Sequence, residues 1–313
     1  MTDNTQIESI YSTEEEPLQP SVGSAMRLLL VTFALLLIIG SVVQIIHFEI
    51  GMLVTQWILI LLPALWYWRR YRLDRTAFAR VRTLEKKYIP TILLLVVCAW
   101  IVNMYITISL ASFLIKFGYE PIVAIPYPET IVDLLRYYFV IAVSAGICEE
   151  VFFRGTIMPS FEKHGAVPAL VLSALLFSLF HVSFVNFFSI FILGLIIGLV
   201  VMKTGSLWGG ILYHIFNNGI AVTYMFIASN YELEAFLEPV SNRAFFLVML
   251  LFLVGLIYGL KKLQRQSGAP PLLPNRTNWL PKGWFSRASG LIVIIFFAIA
   301  AMELLLGFGF FEM

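Results

Sequence analysis

The stretch best equipped for chemistry is Cys148-Glu149-Glu150-Val151-Phe152-Phe153-Arg154-Gly155, three charges inside an otherwise apolar run. A charged group at the depth of a bilayer costs about 2.5 kcal/mol or more, so such a group is read first as functional. Glu150 and Arg154 are four residues apart, share a helix face and can pair. Glu149 lies about 100° round the helix from Glu150. The residues three and four away from it are Phe152, Phe153, Gly146 and Ala145, none of them basic. One carboxylate is therefore tied to a structural ion pair and the other is free to act. A plainer reading is a buried pair with one extra glutamate in a helix bundle. Cys148 beside Glu149 could be imagined as a nucleophile, but a cysteine in apolar surroundings is usually inert.

Two further polar groups fall in neighbouring apolar runs: His181, four residues after Phe177, and His214 with Asn218, four apart on one helix face. A free carboxylate, two imidazoles and a carboxamide in an apolar box suit hydrolysis. Glu149 would take a proton from water as general base. His181, His214 and Asn218 would orient that water and stabilise the oxyanion of a tetrahedral intermediate. The same residues could instead hold Zn²⁺ or another divalent metal, with His181 and His214 as ligands and the metal activating the water. The spacing does not choose between a metal and a metal-free mechanism, and no H-E-x-x-H is present. Taken singly, a histidine in a membrane helix is more often a hydrogen-bond partner between helices, and Asn217 and Asn218 could be the same kind of glue. His47 and His164 fall near the ends of apolar runs and carry no such signal.

The elements that position these groups read as membrane spans. Of 313 residues, 60% are hydrophobic and 13% charged, against about 25% charged in a soluble domain. The mean hydropathy is +0.88. A net charge of +2 gives no reason to expect a nucleic-acid partner. Cys98 and Cys148 both lie in apolar segments and form neither a disulfide framework nor a zinc pattern. Residues 1–24 read as a disordered acidic tail rather than a signal peptide. About nine spans follow, near 27–47, 51–68, 90–115, 131–158, 166–182, 185–203, 206–227, 243–260 and 288–309. The loop from Arg69 to Lys87 is strongly basic, which places it and the N-terminus in the cytoplasm. Only Val182 to Asn186 separate spans five and six, so that hairpin is expected to turn within the membrane, covered by protein or water.

The fold class is therefore an all-α polytopic bundle with its catalytic core in spans four to seven. The chain divides into the tail, N-terminal membrane helices with their basic loop over 25–130, the core over 131–227 and C-terminal helices over 228–313. The intramembrane polar groups concentrate in that core and not at two matched places, which argues against a transporter built from inverted repeats.

At these residues the chain resembles the CPBP family, the CAAX-protease and bacteriocin-processing group of intramembrane endopeptidases that includes the Rce1-type prenyl-protein endopeptidases. Its Glu-Glu-x-x-x-Arg motif is Glu149 to Arg154, its Phe-x-x-x-His motif is Phe177 to His181, and its His-x-x-x-Asn motif is His214 to Asn218. The resemblance covers roughly 130–226. It implies an intramembrane endopeptidase acting on a membrane-associated protein or peptide, with Glu149 as base, Glu150 and Arg154 as the structural pair, and His181, His214 and Asn218 completing the site. The mechanism it implies is glutamate-activated water, with or without a metal. No prenyl pocket can be read from the residues. A bacterial plasma-membrane location, multi-pass with the N-terminus inside, is the matching expectation. Two other readings stand beside it: a non-enzymatic membrane scaffold or bacteriocin-immunity-type protein on the same fold, and a proton-coupled carrier using Glu149 as relay.

Overall fold

The computed structural model describes residues 20–120, 125–231, 242–272 and 287–310, and all its regular structure there is helical. Among the described residues nine helices follow one another: α1 Val22–Ile46, α2 Phe48–Arg70, α3 Lys86–Ile115, α4 Ile131–His164, α5 Ala166–Phe180, α6 Phe187–Thr204, α7 Leu207–Asn230, α8 Asn242–Ser267 and α9 Arg287–Gly307. All but α5 are long and apolar enough to cross a membrane. The chain is an all-α, multi-pass membrane protein.

The expected spans fall on these helices, and two of them, the first and the fifth, differ in extent. The helix α1 begins at Val22, where Ser21 and Ser24 form a reciprocal capping box, so the tail expected over 1–24 is already helical at its end. The rest of that tail, through residue 19, lies outside the described residues, as do Glu232, Glu234 and Glu238 between the seventh and eighth spans and Arg276 and Lys282 between the eighth and ninth. The fifth span is only 15 residues. At 1.5 Å per residue it rises about 22 Å, short of a hydrocarbon layer of about 30 Å. This suits the expectation of a hairpin that turns below the surface.

Helix α4 runs through the centre of the bundle, packed on α2 on one side and α7 on the other. One apolar core joins α1, α2, α4, α5 and α9, and a second joins α3, α6, α7 and α8. Close contact between α4 and α7 depends on Gly146: a Cβ there would lie 2.6 Å from Ile215 Cγ1 and 3.1 Å from the Ile215 backbone nitrogen.

Helix α4 is not uniform. It widens into π-type turns at Tyr138–Val143 and Phe153–Ile157, on either side of the two glutamates. Such turns free carbonyls from the i→i−4 ladder and recur at functional sites. Here the freed groups find partners. Ser144 Oγ donates to the Phe139 carbonyl and Asn218 Nδ2 to that of Ile141. Below the glutamates, Trp68 Nε1 on α2 lies 3.2 Å from the Gly155 carbonyl and 2.8 Å from Thr156 Oγ1. The basic loop after α2 is strapped to the same end of the bundle by an Arg80–Glu162 ion pair of 2.6 Å.

Candidate active site

Four helices and one hairpin build the site. Helix α4 presents Glu149 and Glu150 on adjacent faces, both buried. The expected pair forms: Arg154 Nη1 donates to Glu150 Oε1 at 2.9 Å, with both side chains fully buried. Arg154 is held further by Nη2 donating to the Gly194 carbonyl of α6 and by the Phe177 ring, 4.4 Å from its guanidinium carbon. A buried ion pair needs such extra partners to offset its desolvation.

Glu150 has a second partner that helical spacing could not show. His214 Nδ1 of α7 lies 2.8 Å from Glu150 Oε1. A carboxylate paired with arginine accepts, so Nδ1 is the donor and Nε2 points away from the pair, toward Glu149. The approach is possible because Gly210, one turn before His214, leaves room: a Cβ there would sit 3.2 Å from Glu150 Oε2. His181, at the end of α5, is fixed in the same manner. Its Nδ1 donates to the Phe177 carbonyl at 2.8 Å, and its Nε2 faces Glu149. Phe177 thus orients one imidazole through its carbonyl and supports Arg154 through its ring.

Glu149 therefore stands between two histidines whose Nε2 atoms approach the same oxygen, Oε2, to 3.7 Å for His181 and 4.0 Å for His214. That oxygen is buried and makes no hydrogen bond within the protein. The other oxygen, Oε1, accepts a 2.8 Å hydrogen bond from Gln56 Nε2 of α2. Gln56 was not among the residues expected at the site. It is a polar side chain in an apolar span, next to Thr55, and it sits in another wide turn, Val54–Leu61. Asn218 lines the same cavity, but its Nδ2 donates to Ile141 and its Oδ1 accepts from Asn217. Its first role is thus to hold the wide turn above Glu149. Cys148 packs in the apolar core, fully buried, and reaches neither cavity at the site.

The hairpin behind His181 is the most constrained backbone in the site. Val182 takes a left-handed φ of 51°, costly for a β-branched residue. The turn is clamped from α9. Glu303 accepts from the Phe184 backbone N–H at 2.6 Å and from Ser183 Oγ at 3.3 Å. The single acidic residue of the last span, which carried no assigned purpose in the sequence, is a support for the segment bearing His181.

Two cavities meet at Glu149. One of about 550 Å³ opens among α2, α3, α4, α6 and α7, walled by Gln56, Glu149, His181, His214 and Asn218 on one side and by Trp100, Met104 and Met225 on the other. A smaller one of about 370 Å³, among α1, α2, α5 and α9, also reaches Gln56, Glu149 and His181.

A metal at this place would take His181 and His214 through Nε2, and their anchored Nδ1–H groups are the usual support of metal-binding imidazoles. It would supply Lewis-acid activation of a water. Among the described residues, however, no three His, Cys, Asp or Glu side chains converge as a metal cage. Ligand atoms on one tetrahedral zinc, at bonds of about 2.0–2.1 Å, lie about 3.3 Å apart, closer than the 3.7 and 4.0 Å found here. Each imidazole thus stands farther from the Glu149 oxygen than two ligands of one bound zinc would.

Residues 131–220 match the family described as type II CAAX prenyl endopeptidase Rce1-like, and this segment holds every motif residue of the site. No curated protein and no solved structure matches the chain. The helices that Glu149, His181 and His214 project from thus lie within the segment, residues 131–220, that is similar to the Rce1-like family of type II CAAX prenyl endopeptidases.

Proposed function

We propose that this protein is an intramembrane endopeptidase of glutamate type, cleaving a peptide bond in a membrane-associated protein or peptide. The observation that carries the reading is Glu149 Oε2: a buried carboxylate oxygen without a hydrogen-bond partner, flanked by two imidazole nitrogens, on a side chain that lines two cavities. The match to a protease family supports the reaction class.

In this reading the water binds against Oε2 while Gln56 holds Oε1. Glu149 takes a proton from the water, whose oxygen attacks the scissile carbonyl carbon. The tetrahedral intermediate collapses with cleavage of the C–N bond. The proton held by Glu149 passes to the leaving nitrogen, giving a new carboxyl end and a new amine end. With Nδ1–H committed to Phe177 and Glu150, the neutral histidines offer lone pairs at Nε2. They position the water, and only a protonated ring donates to the oxyanion. Asn218 keeps one amide hydrogen beyond its bond to Ile141, available to the cavity. Two cavities lined by Glu149, one among α3, α6 and α7 and one among α1, α5 and α9, offer room for chain beyond the cut, which favours an endopeptidase over removal of terminal residues. The wide cavity is walled mainly by apolar side chains, which suits a lipid-modified or hydrophobic segment.

The site serves this chemistry without a metal in the proposed mechanism. The orientation we propose, with the N-terminus in the cytoplasm of a bacterial cell, rests on the basic loop from Arg69 to Lys87. The test is cleavage of candidate membrane substrates in proteoliposomes by the wild type and Glu149→Gln. A general base contributes about 10²–10⁴ in rate, so the variant should lose at least a hundredfold while keeping its melting behaviour. Cleavage by the variant at the wild-type rate would remove Glu149 from the mechanism. Solute flux without cleavage would favour a carrier instead.

A further inference from the structure

A third cavity lies away from the site, in the groove between α1 and α2 on the outer face of the bundle. Its volume is about 530 Å³. The two helices run antiparallel there, so the first turns of α1 and the last turns of α2 share one end. Arg27 and Arg70 stand at that end, both exposed. Among the described residues neither guanidinium has an acidic partner, in contrast to Arg80 and Arg154. Trp66 and Tyr71 sit beside them, and the groove continues along Val31, Ile58 and Leu62, all three more than half exposed.

We propose that this groove binds one anionic phospholipid, its phosphate between Arg27 and Arg70 and an acyl chain along Val31, Ile58 and Leu62. Three features select that occupant. Two arginines lining one cavity, without an acidic partner among the described residues, fit a phosphate better than a zwitterionic headgroup, whose own cation they would repel. Tryptophan and tyrosine at the same height belong at the boundary between headgroup and acyl chain. From Arg70 to Ile58 the helix rises about 18 Å, the reach of a lipid tail, and the surface along it is apolar. The adjoining run Arg69, Arg72 and Arg75, with only Asp74 against it, adds to the positive field at that end.

The inference does not depend on the proteolytic reading, because binding can be measured without a substrate. The purified full chain in detergent would be titrated with dioleoyl phosphatidylglycerol and, separately, dioleoyl phosphatidylcholine, with bound lipid counted by native mass spectrometry. At about a factor of five per arginine near a lipid phosphate, the wild type should retain the anionic lipid about thirtyfold better at low salt. The double variant Arg27→Gln/Arg70→Gln should erase most of that preference. Leu62→Trp, which keeps both arginines and fills the groove, should release the lipid as well. Equal retention of the two lipids by the wild type would overturn the proposal. So would an unchanged preference in the double variant, which would move the site to the loop arginines. Displacement by glycerol phosphate at the same concentration as the lipid would also overturn it, since the groove would then recognise a free anion and no tail.

Discussion

Gln56 Nε2 on α2 donates a 2.8 Å hydrogen bond to Glu149 Oε1 on α4, across 93 positions of sequence and from outside the matched domain. This bond occupies one carboxylate oxygen and leaves the other, Oε2, to the two histidines. The N-terminal helices are thus part of the site and not only its casing. Gln56→Leu should lower kcat by up to about a hundredfold, since a base displaced by about 1 Å can cost that much. KM should change far less, and the melting temperature should hold. Gln56→Asn, a shorter amide, should fall between. Wild-type turnover in Gln56→Leu would reduce the bond to a packing detail.

Glu150 joins Arg154 to His214, so its loss has two consequences. Glu150→Ala strands a buried guanidinium at a cost of about 3–5 kcal/mol and frees the His214 ring. Low yield and early thermal unfolding in detergent are expected. Glu150→Gln keeps the volume and one acceptor, so it should unfold later than the alanine variant. An alanine variant as stable as the wild type would contradict the structural role of the pair.

The clamp from α9 makes a separate forecast. Glu303→Ala removes acceptors from the Phe184 N–H and the Ser183 hydroxyl, beside the strained Val182. A hydrogen bond to a charged group contributes about 1.5–3 kcal/mol, so amide exchange over residues 182–187 should quicken by about ten- to a hundredfold. Turnover should fall with it. Unaltered exchange would show that the hairpin holds itself.

Helix approach at Gly146 can be tested by bulk. Gly146→Val places methyl groups where Ile215 already stands 2.6 Å from a Cβ. Overpacking of this kind costs about 1–3 kcal/mol, and parting α4 from α7 should break the Glu150–His214 contact one turn on. Loss of both stability and turnover is expected, and a fully active variant would mean that α7 can shift without harm.

Metal dependence has a direct assay. The ligand spacing leads us to expect well under one zinc per purified chain and cleavage that survives chelators. One zinc per chain in the wild type, absent from a His181→Ala/His214→Ala double variant, would give the histidines to a metal instead.

Much of this was legible in the residues because membranes impose strong rules. Apolar runs of fixed length announce the helices, and a charge within one stands out against them. The i, i+4 pairs Glu150–Arg154 and Phe177–His181 were readable for the same reason, since helical spacing alone places them together. What spacing cannot show is which helix lies beside which. The contacts Gln56–Glu149, Glu150–His214 and Glu303–Phe184 join residues 93, 64 and 119 positions apart. Each depends on how close two helices approach and how each is rotated, which small residues such as Gly146 and Gly210 set by removing side-chain bulk. Asn218 shows the same limit within one helix. Its place on the His214 face was plain, but its bond to the Ile141 carbonyl exists only because α4 widens there and frees that group. The residue types determined which polar groups this protein holds within its spans; the packing of α2, α7 and α9 against α4 and the α5–α6 hairpin decided which oxygen of Glu149 is left facing the two histidines.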